Sequence, residues 1–221
     1  MIKIENTEVF NFKGAIRGMR NPLNSWDKSD SKRCGHNEQL FCEGGNGCKY
    51  AAKLDGFCIG ANDLKLAQSL AHNDSDHRKL LRQIMVSVDI TAPRYWWAEF
   101  DTYKVGTVAN SCSTMHTIHK KEFELDDFSF DGLLSPFDLR DAINKLNTYR
   151  ELYLQTKEKN YWRSMIILLP QSYNQKRTVT LNYEVLLNQY HARKNHKLSE
   201  WHTYCDWIKS LPYFKEICLE N

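Results

Sequence analysis

Two stretches of this 221-residue chain concentrate the side chains that hold anions and flat polar rings. The first, Val86 to His116, reads VSVDITAPRYWWAEFDTYKVGTVANSCSTMH. Past its apolar start it offers Lys104, Thr107, Asn110, Ser111, Ser113, Thr114 and His116. Small hydroxyls and free backbone N–H groups beside a cation suit a phosphate or a nucleobase edge. A solvated loop of Asx and Ser turns would carry the same residues. The second stretch, Leu169 to Trp201, supplies Lys176, Arg177, Arg193, Lys194 and Asn182. Arg193 follows Asn182 by about three helical turns, so the two can face one cleft. The alternative is a set of surface cations, the usual fate of Lys and Arg.

The elements that must carry these groups follow from period and punctuation. Residues 1–12 read as a strand and Lys13 to Met19 as a short helix. Residues 20–60 are rich in Asn, Asp, Ser and Gly, and predict a long irregular stretch. From Asn62, placed as an N-cap, Leu64, Ala67, Leu70 and Ala71 share one helical face. A second helical piece covers His77 to Ile84. Val86, Val88 and Ile90 alternate with Ser87, Asp89 and Thr91, a period-2 strand. Pro93 suits the first turn of a helix running from Tyr95 to Lys104 and ending near Gly106. Residues 107–118 read as irregular. Helices are expected over Pro136–Lys157, Trp162–Leu169, Thr180–Arg193 and Leu198–Ser210, with Pro212 ending the last. The expected fold class is α+β, a small sheet packed with several helices in one domain spanning 1–221.

Composition narrows the function. With 42% hydrophobic residues the chain can bury one sizeable core. Lys+Arg 30 against Asp+Glu 27 leaves +3, too little to argue for nucleic acid as partner. The longest apolar run, Met165 to Leu169, is too short to span a bilayer. The N-terminal residues MIKIENTEVF lack the pattern of a secretory signal. Seven cysteines without such a signal point to reduced thiols and a cytoplasmic setting.

In order and spacing the two stretches resemble the signature regions of the flavin-dependent thymidylate synthases. In that family a strand ending near Ala-Pro precedes a helix that ends in Arg-His-Arg, and a loop then carries Ser, Asn, Ser-Gly-Arg and Tyr. VSVDITAP matches the strand, and Thr102-Tyr103-Lys104 occupies the triplet. With one inserted residue, Asn110, Ser113 and His116 fall at the family's Asn, Ser and Tyr. Leu169-Pro170, Asn182 and Arg193 repeat the downstream spacing, and Lys176 stands where the family places a substrate-binding Arg. The match covers roughly a third of the chain. The triplet's arginines are Thr102 and Lys104 here, the loop's substrate-binding Arg is Met115, its Glu is Ser111, and a helical Gln is Glu99. Lys does not replace a planar, bidentate Arg.

The resemblance implies a protein binding a pyrimidine deoxynucleotide, dUMP in the family. It implies FAD as cofactor, with methylene-tetrahydrofolate and a nicotinamide reductant, transfer of a one-carbon unit to the base, and a homotetramer. Carried over position by position, substrate contacts fall to Glu99, Ser111, Ser113, Lys176 and Arg193. Cofactor contacts fall to Lys104, Asn110, His116 and Asn182. The altered cations also admit a catalytically silent nucleotide-binding or sequestering protein on the same fold. No enzyme nucleophile is needed in this scheme, and Cys112 has no visible activating base.

Residues 30–60 form a Cys/Gly-rich insertion relative to the family pattern. Cys34, His36, Cys42, Cys48 and Cys58 could bind zinc and staple a protein-interaction module. Their spacings contain no close Cys pair, and scattered reduced thiols are the alternative. Tyr95-Trp96-Trp97 and Tyr204-Trp207-Tyr213 could be stacking platforms, but helical spacing favours core or subunit packing.

Overall fold

A computed structural model of the chain describes residues 2–34, 45–132, 135 and 137–220, with backbone alone for 45–48. The elements are β1 (Lys3–Phe10), α1 (Phe12–Gly18), β2 (Lys32–Arg33), β3 (Phe57–Cys58), α2 (Ala61–His72), α3 (Lys79–Gln83), β4 (Met85–Pro93) and α4 (Arg94–Phe100). They continue with β5 (Val108–Ser111), α5 (Thr114–Thr117), α6 (Phe137–Thr156), α7 (Lys159–Leu168), β6 (Asn174–Asn182), α8 (Tyr183–Arg193), α9 (Ser199–Lys209) and α10 (Phe214–Cys218). Four strands form a sheet in the order β1-β4-β6-β5, and β2 pairs with β3 in a separate antiparallel ribbon. The fold is mixed helix and sheet, as its patterning predicts.

The described residues fall into two compact units, one of Met1–Glu5, Asp89–Thr102 and Ala109–Thr178, the other of Asn6–Val88, Tyr103–Val108 and Val179–Asn221. In the first, α6 and α7 close over a core of Ile118, Phe123, Phe128, Leu139, Ile143, Leu146, Met165 and Leu169. The Asn147 amide braces this core, its oxygen accepting from the Phe123 N–H at 2.8 Å and its nitrogen donating to the Phe123 carbonyl at 2.9 Å. Trp96, Trp97 and Phe100 of α4 are buried in the same unit, ring against ring at 4.9–5.2 Å. They are core, not stacking platforms.

The second unit packs Phe12 against Tyr183 and Tyr213, while the Tyr183 hydroxyl donates to the Pro212 carbonyl at 2.7 Å. Its polar centre is a buried ion pair. Arg20 Nε donates to Asp63 Oδ1 at 2.6 Å, and Asp63 Oδ2 accepts from Ser29 Oγ at 2.7 Å and from Ser31 N at 3.0 Å. Burial pushes the Asp63 carboxyl up, but hydrogen bonds from Ser31, Ser29 and Arg20 outweigh it and hold it below its ordinary value.

Helix α2 is not capped by Asn62. Gly60 is the N-cap, and the Asp30 carboxylate accepts from the N–H groups of Asn62 at 2.9 Å and Asp63 at 3.0 Å. Asp30 leans so close that a Cβ on Gly60 would lie 2.2 Å from its Cγ. The cap therefore comes from a residue remote in sequence, and Gly60 leaves room for it.

Several boundaries differ from the sequence reading. Helix α4 ends at Phe100, so Lys104 lies beyond it, and Pro93 is its N-cap rather than a first-turn residue. Residues 108–111 are a strand and 114–117 a helical turn, not irregular chain. Residues 174–182 are strand, so Asn182 is the N-cap of α8 and not a residue within it. A further helix, α10, follows Pro212. Within 20–60, short 3-10 turns and the β2–β3 ribbon replace the expected irregular stretch over the described residues.

Candidate functional site

Strand β4 delivers Pro93 directly into α4. The first backbone N–H groups of that helix are not left bare, because Arg94 N donates to the Tyr173 carbonyl and Tyr95 N to the Gln171 carbonyl, at 3.1 and 3.2 Å. This ties α4 to the chain entering β6. Trp97 adds a third tie, its indole N–H reaching the Gln175 carbonyl at 2.9 Å.

Strand alternation then sorts the side chains of β6. Gln175 and Arg177 point toward α4. The Arg177 guanidinium lies 4.2 Å over the Trp97 ring, and it donates to Gln175 Oε1 at 3.2 Å and Asp101 Oδ1 at 2.7 Å. Gln175 Nε2 donates in turn to the Cys112 carbonyl at 2.7 Å. Lys176 and Thr178 point the other way, to Asp89 of β4, at 3.0 and 2.6 Å. Glu5 lies a further 3.9 Å from the Lys176 ammonium. The hydrogen bond to Asp89 raises the Lys176 pKa and keeps it charged, but with two carboxylates around it.

On the Arg177 side is a hollow of about 380 Å³, lined by Arg94, Trp97, Ala98, Asp101, Thr114, Gln171, Gln175 and Arg177. Arg177 is held rigid by its stacking and its ion pair. Arg94 also lines the hollow and makes no ion pair or side-chain hydrogen bond among the described residues, so its guanidinium is uncommitted. Two guanidiniums, two carboxamides and a hydroxyl can seat an anionic oxygen cluster and read the polar edge of a ring. Arg177 is named among the sequence's cations, whereas Arg94, Gln171 and Gln175 are not. An Arg placed directly after a helix-starting Pro, and the alternation Gln175–Arg177, are the signals that could find them.

Of the other sequence-chosen residues, some make structural contacts and others are simply exposed. Ser113 caps α5, its hydroxyl accepting from His116 N at 3.1 Å. Asn110 and Ser111 lie exposed on β5, and His116 is exposed on α5. Met115 is exposed too, its carbonyl accepting from the Trp162 indole at 3.0 Å. Glu99 sits on α4, its carbonyl accepting from the Thr102 hydroxyl at 2.8 Å.

In the second unit, Arg193 ends α8 with its Nε donating to the Tyr103 hydroxyl at 2.9 Å. Its guanidinium lies 4.7 Å over the Trp201 ring. The Asn182 side-chain oxygen accepts from Val185 N at 3.0 Å, and a Cβ on Gly106 would lie 3.2 Å from its Nδ2. Lys104 is exposed in the loop that follows α4.

For the zinc reading, His36 and Cys42 lie outside the described residues, as does the side chain of Cys48. Burial and the neighbouring Cys34 thiol raise the Cys58 pKa, so these two thiols are close. Among the described residues no three His, Cys, Asp or Glu side chains form a metal cluster. No described helix is long and apolar enough to cross a membrane.

No protein-family model matches the chain, and no curated protein sequence does. Solved structures do. A crystal structure of thymidylate synthase X (ThyX) from Helicobacter pylori with FAD and dUMP matches with a TM-score of 0.71 and 16% identity, covering 100% of this chain and 98% of that one. A second structure of the same flavin-dependent enzyme, complexed with FAD and dUMP, matches at 0.68 and 16%, covering 99% and 97%. The fold is that of a flavin-dependent thymidylate synthase. At this identity the ThyX likeness speaks for the architecture, and one architecture accounts for the whole chain.

Proposed function

We propose that this chain is a ThyX-like protein that binds a pyrimidine deoxynucleotide together with FAD and transfers a one-carbon unit to the base. The observation that carries the reading is the uncommitted Arg94 beside the fixed Arg177 in a polar hollow, on a fold whose solved neighbours hold FAD and dUMP. Arg94 and Arg177 receive the phosphate, and Gln171 offers a carboxamide whose donor and acceptor complement the imide edge of uracil. Thr114 adds a hydroxyl. The Ser113 turn supplies a further polar group to the substrate, and by the family resemblance alone Arg193, which lies over the Trp201 ring, is also a substrate residue. Ser111 and Glu99 take the remaining substrate positions.

The donor set suits a flavin dinucleotide in part. Lys104 supplies an ammonium, Asn110 a carboxamide and His116 an imidazole, all exposed, while the Asn182 oxygen is already committed to its cap. When bound, FAD would carry the redox chemistry, with folate and a nicotinamide as co-reactants, and the protein would bind, orient and exclude water. Apolar side chains left in water, Val105 and Val108 in one unit and Ile167 and Leu168 in the other, support self-association, for which a homotetramer is our expectation.

A second reading, a catalytically silent nucleotide binder, draws on Thr102 and Met115, which stand where the resemblance expects arginines. The test is direct. The purified protein is titrated with FAD and with dUMP, then assayed for dUMP-dependent oxidation of a reduced nicotinamide. Flavin binding plus turnover supports the enzyme, nucleotide binding without either supports the silent protein, and failure to bind dUMP ends both.

A further inference from the structure

The unit of Asn6–Val88, Tyr103–Val108 and Val179–Asn221 contains a hollow of about 580 Å³ that shares no lining residue with the Arg94 site. Its wall brings together the end of β1, the start of α1, strand β2 and the turn before β3. Four cations line it, Lys13, Lys32, Arg33 and Lys53, against a single carboxylate, Asp55. Arg33 and Asp55 satisfy each other, Arg33 donating to both the carboxylate and the carbonyl of Asp55. That leaves three ammonium groups. None of them makes an ion pair among the described residues.

Three uncompensated like charges around one concavity repel each other, and an anion relieves that repulsion. The hollow is not wholly polar. Phe57 forms a buried floor, and Phe10 at the rim keeps 45% of its surface in water. An exposed aromatic ring beside ammonium groups matches a ligand that joins a flat ring to several negative charges. The volume lies within the range of pockets that hold small organic ligands.

We propose that this hollow is a second ligand site, binding a nucleoside triphosphate with its polyphosphate on Lys13, Lys32 and Lys53 and its base on Phe10. The site is independent of the dUMP reading and stands on its own residues.

The test uses the full-length protein in calorimetry at low salt, with ATP, inorganic tripolyphosphate and a tri-glutamate peptide as probes. ATP binds, and its affinity falls at least ~10-fold in a Lys13→Ala/Lys53→Ala double variant, as expected for lost charge-assisted contacts. Phe10→Ser weakens ATP but not tripolyphosphate. Arg94→Ala leaves ATP binding unchanged, which separates this site from the dUMP site. The substituted lysines are exposed, and thermal melts of each variant verify the fold. Three results overturn the proposal: no ATP binding below about 1 mM, unchanged affinity in the double lysine variant, or tri-glutamate binding more tightly than ATP.

Discussion

Asp63→Asn removes one negative charge and almost no volume, and it isolates a buried ion pair. In the native protein the fully buried Asp63 carboxylate faces the almost fully buried Arg20 guanidinium at 2.6 Å. Asparagine can still accept from Ser29 and Ser31, but it leaves the Arg20 charge uncompensated in a site shielded from water. Breaking one side of a buried pair costs about 3–5 kcal/mol, a large share of the ~5–15 kcal/mol that holds a domain folded. For a chain of this length each kcal/mol moves the melting temperature by about 2–4 °C, so a fall of roughly 6–20 °C is expected. The pH dependence supplies the sign. Because the folded carboxyl titrates below its unfolded value, its contribution is complete above the unfolded pKa, about 3.9, and is lost as pH falls through the folded pKa. The gap between wild type and variant should therefore be widest near neutrality and close from about pH 4 downward. Urea unfolding at neutral and acidic pH measures both. A loss under about 1 kcal/mol at neutral pH, or a gap that widens with acid, refutes the reasoning.

Arg94→Ala should weaken dUMP binding by about 1.5–3 kcal/mol if its guanidinium meets the phosphate, with equilibrium titration as the measurement and an unchanged affinity as the contrary result. Arg193→Ala should weaken the same ligand by a similar ~1.5–3 kcal/mol, and loss of thermal stability without loss of affinity would reduce Arg193 to a packing group on Trp201. Gly106, at φ 73° with a Cβ position 3.1 Å from Val185 Cγ2, should lose roughly 1–2 kcal/mol of stability as Gly106→Ala in denaturant titration. Asn182→Ala should cost about 1 kcal/mol through its cap alone, and flavin titration of that variant reads any further role as a separate loss of affinity.

The parts of this fold visible in the sequence are those whose local pattern and tertiary surroundings agree. Val86, Val88 and Ile90 alternate cleanly because one side of β4 is wholly buried, and the ThyX-type resemblance follows that strand into α4. Strand β6 is hidden because Thr178 to Leu181 runs into α8 with no turn residue between them, so a helical reading simply extends backward. Asn182 marks the boundary, as an N-cap should. The candidate site was half legible for the same geometric reason. Lys176 and Arg177 are neighbours in the chain, yet a strand sends them to opposite sides, one to Asp89 and one to Trp97. Spacing alone gives no means of choosing between them. The caps and ion pairs joining residues 20–31 to α2 leave no local signature, since Asp30 and Asp63 meet their partners only after folding.

The way residues 29–33 meet residues 57–63 has a practical consequence. Lys32 pairs with Cys58, Arg33 with Phe57, and Ser31 Oγ accepts from Gly60 N at 3.1 Å, so the chain departs from and returns to one stitched seam. Whatever lies between is a detour whose two ends are already fastened together. Doubling such a detour costs only about 0.6 kcal/mol of closure entropy. Added length is therefore cheap there, whereas trimming back to Tyr50 and Leu54, which are buried, or to Lys53 and Asp55 would strip away core contacts and the lining of the lysine-rich hollow.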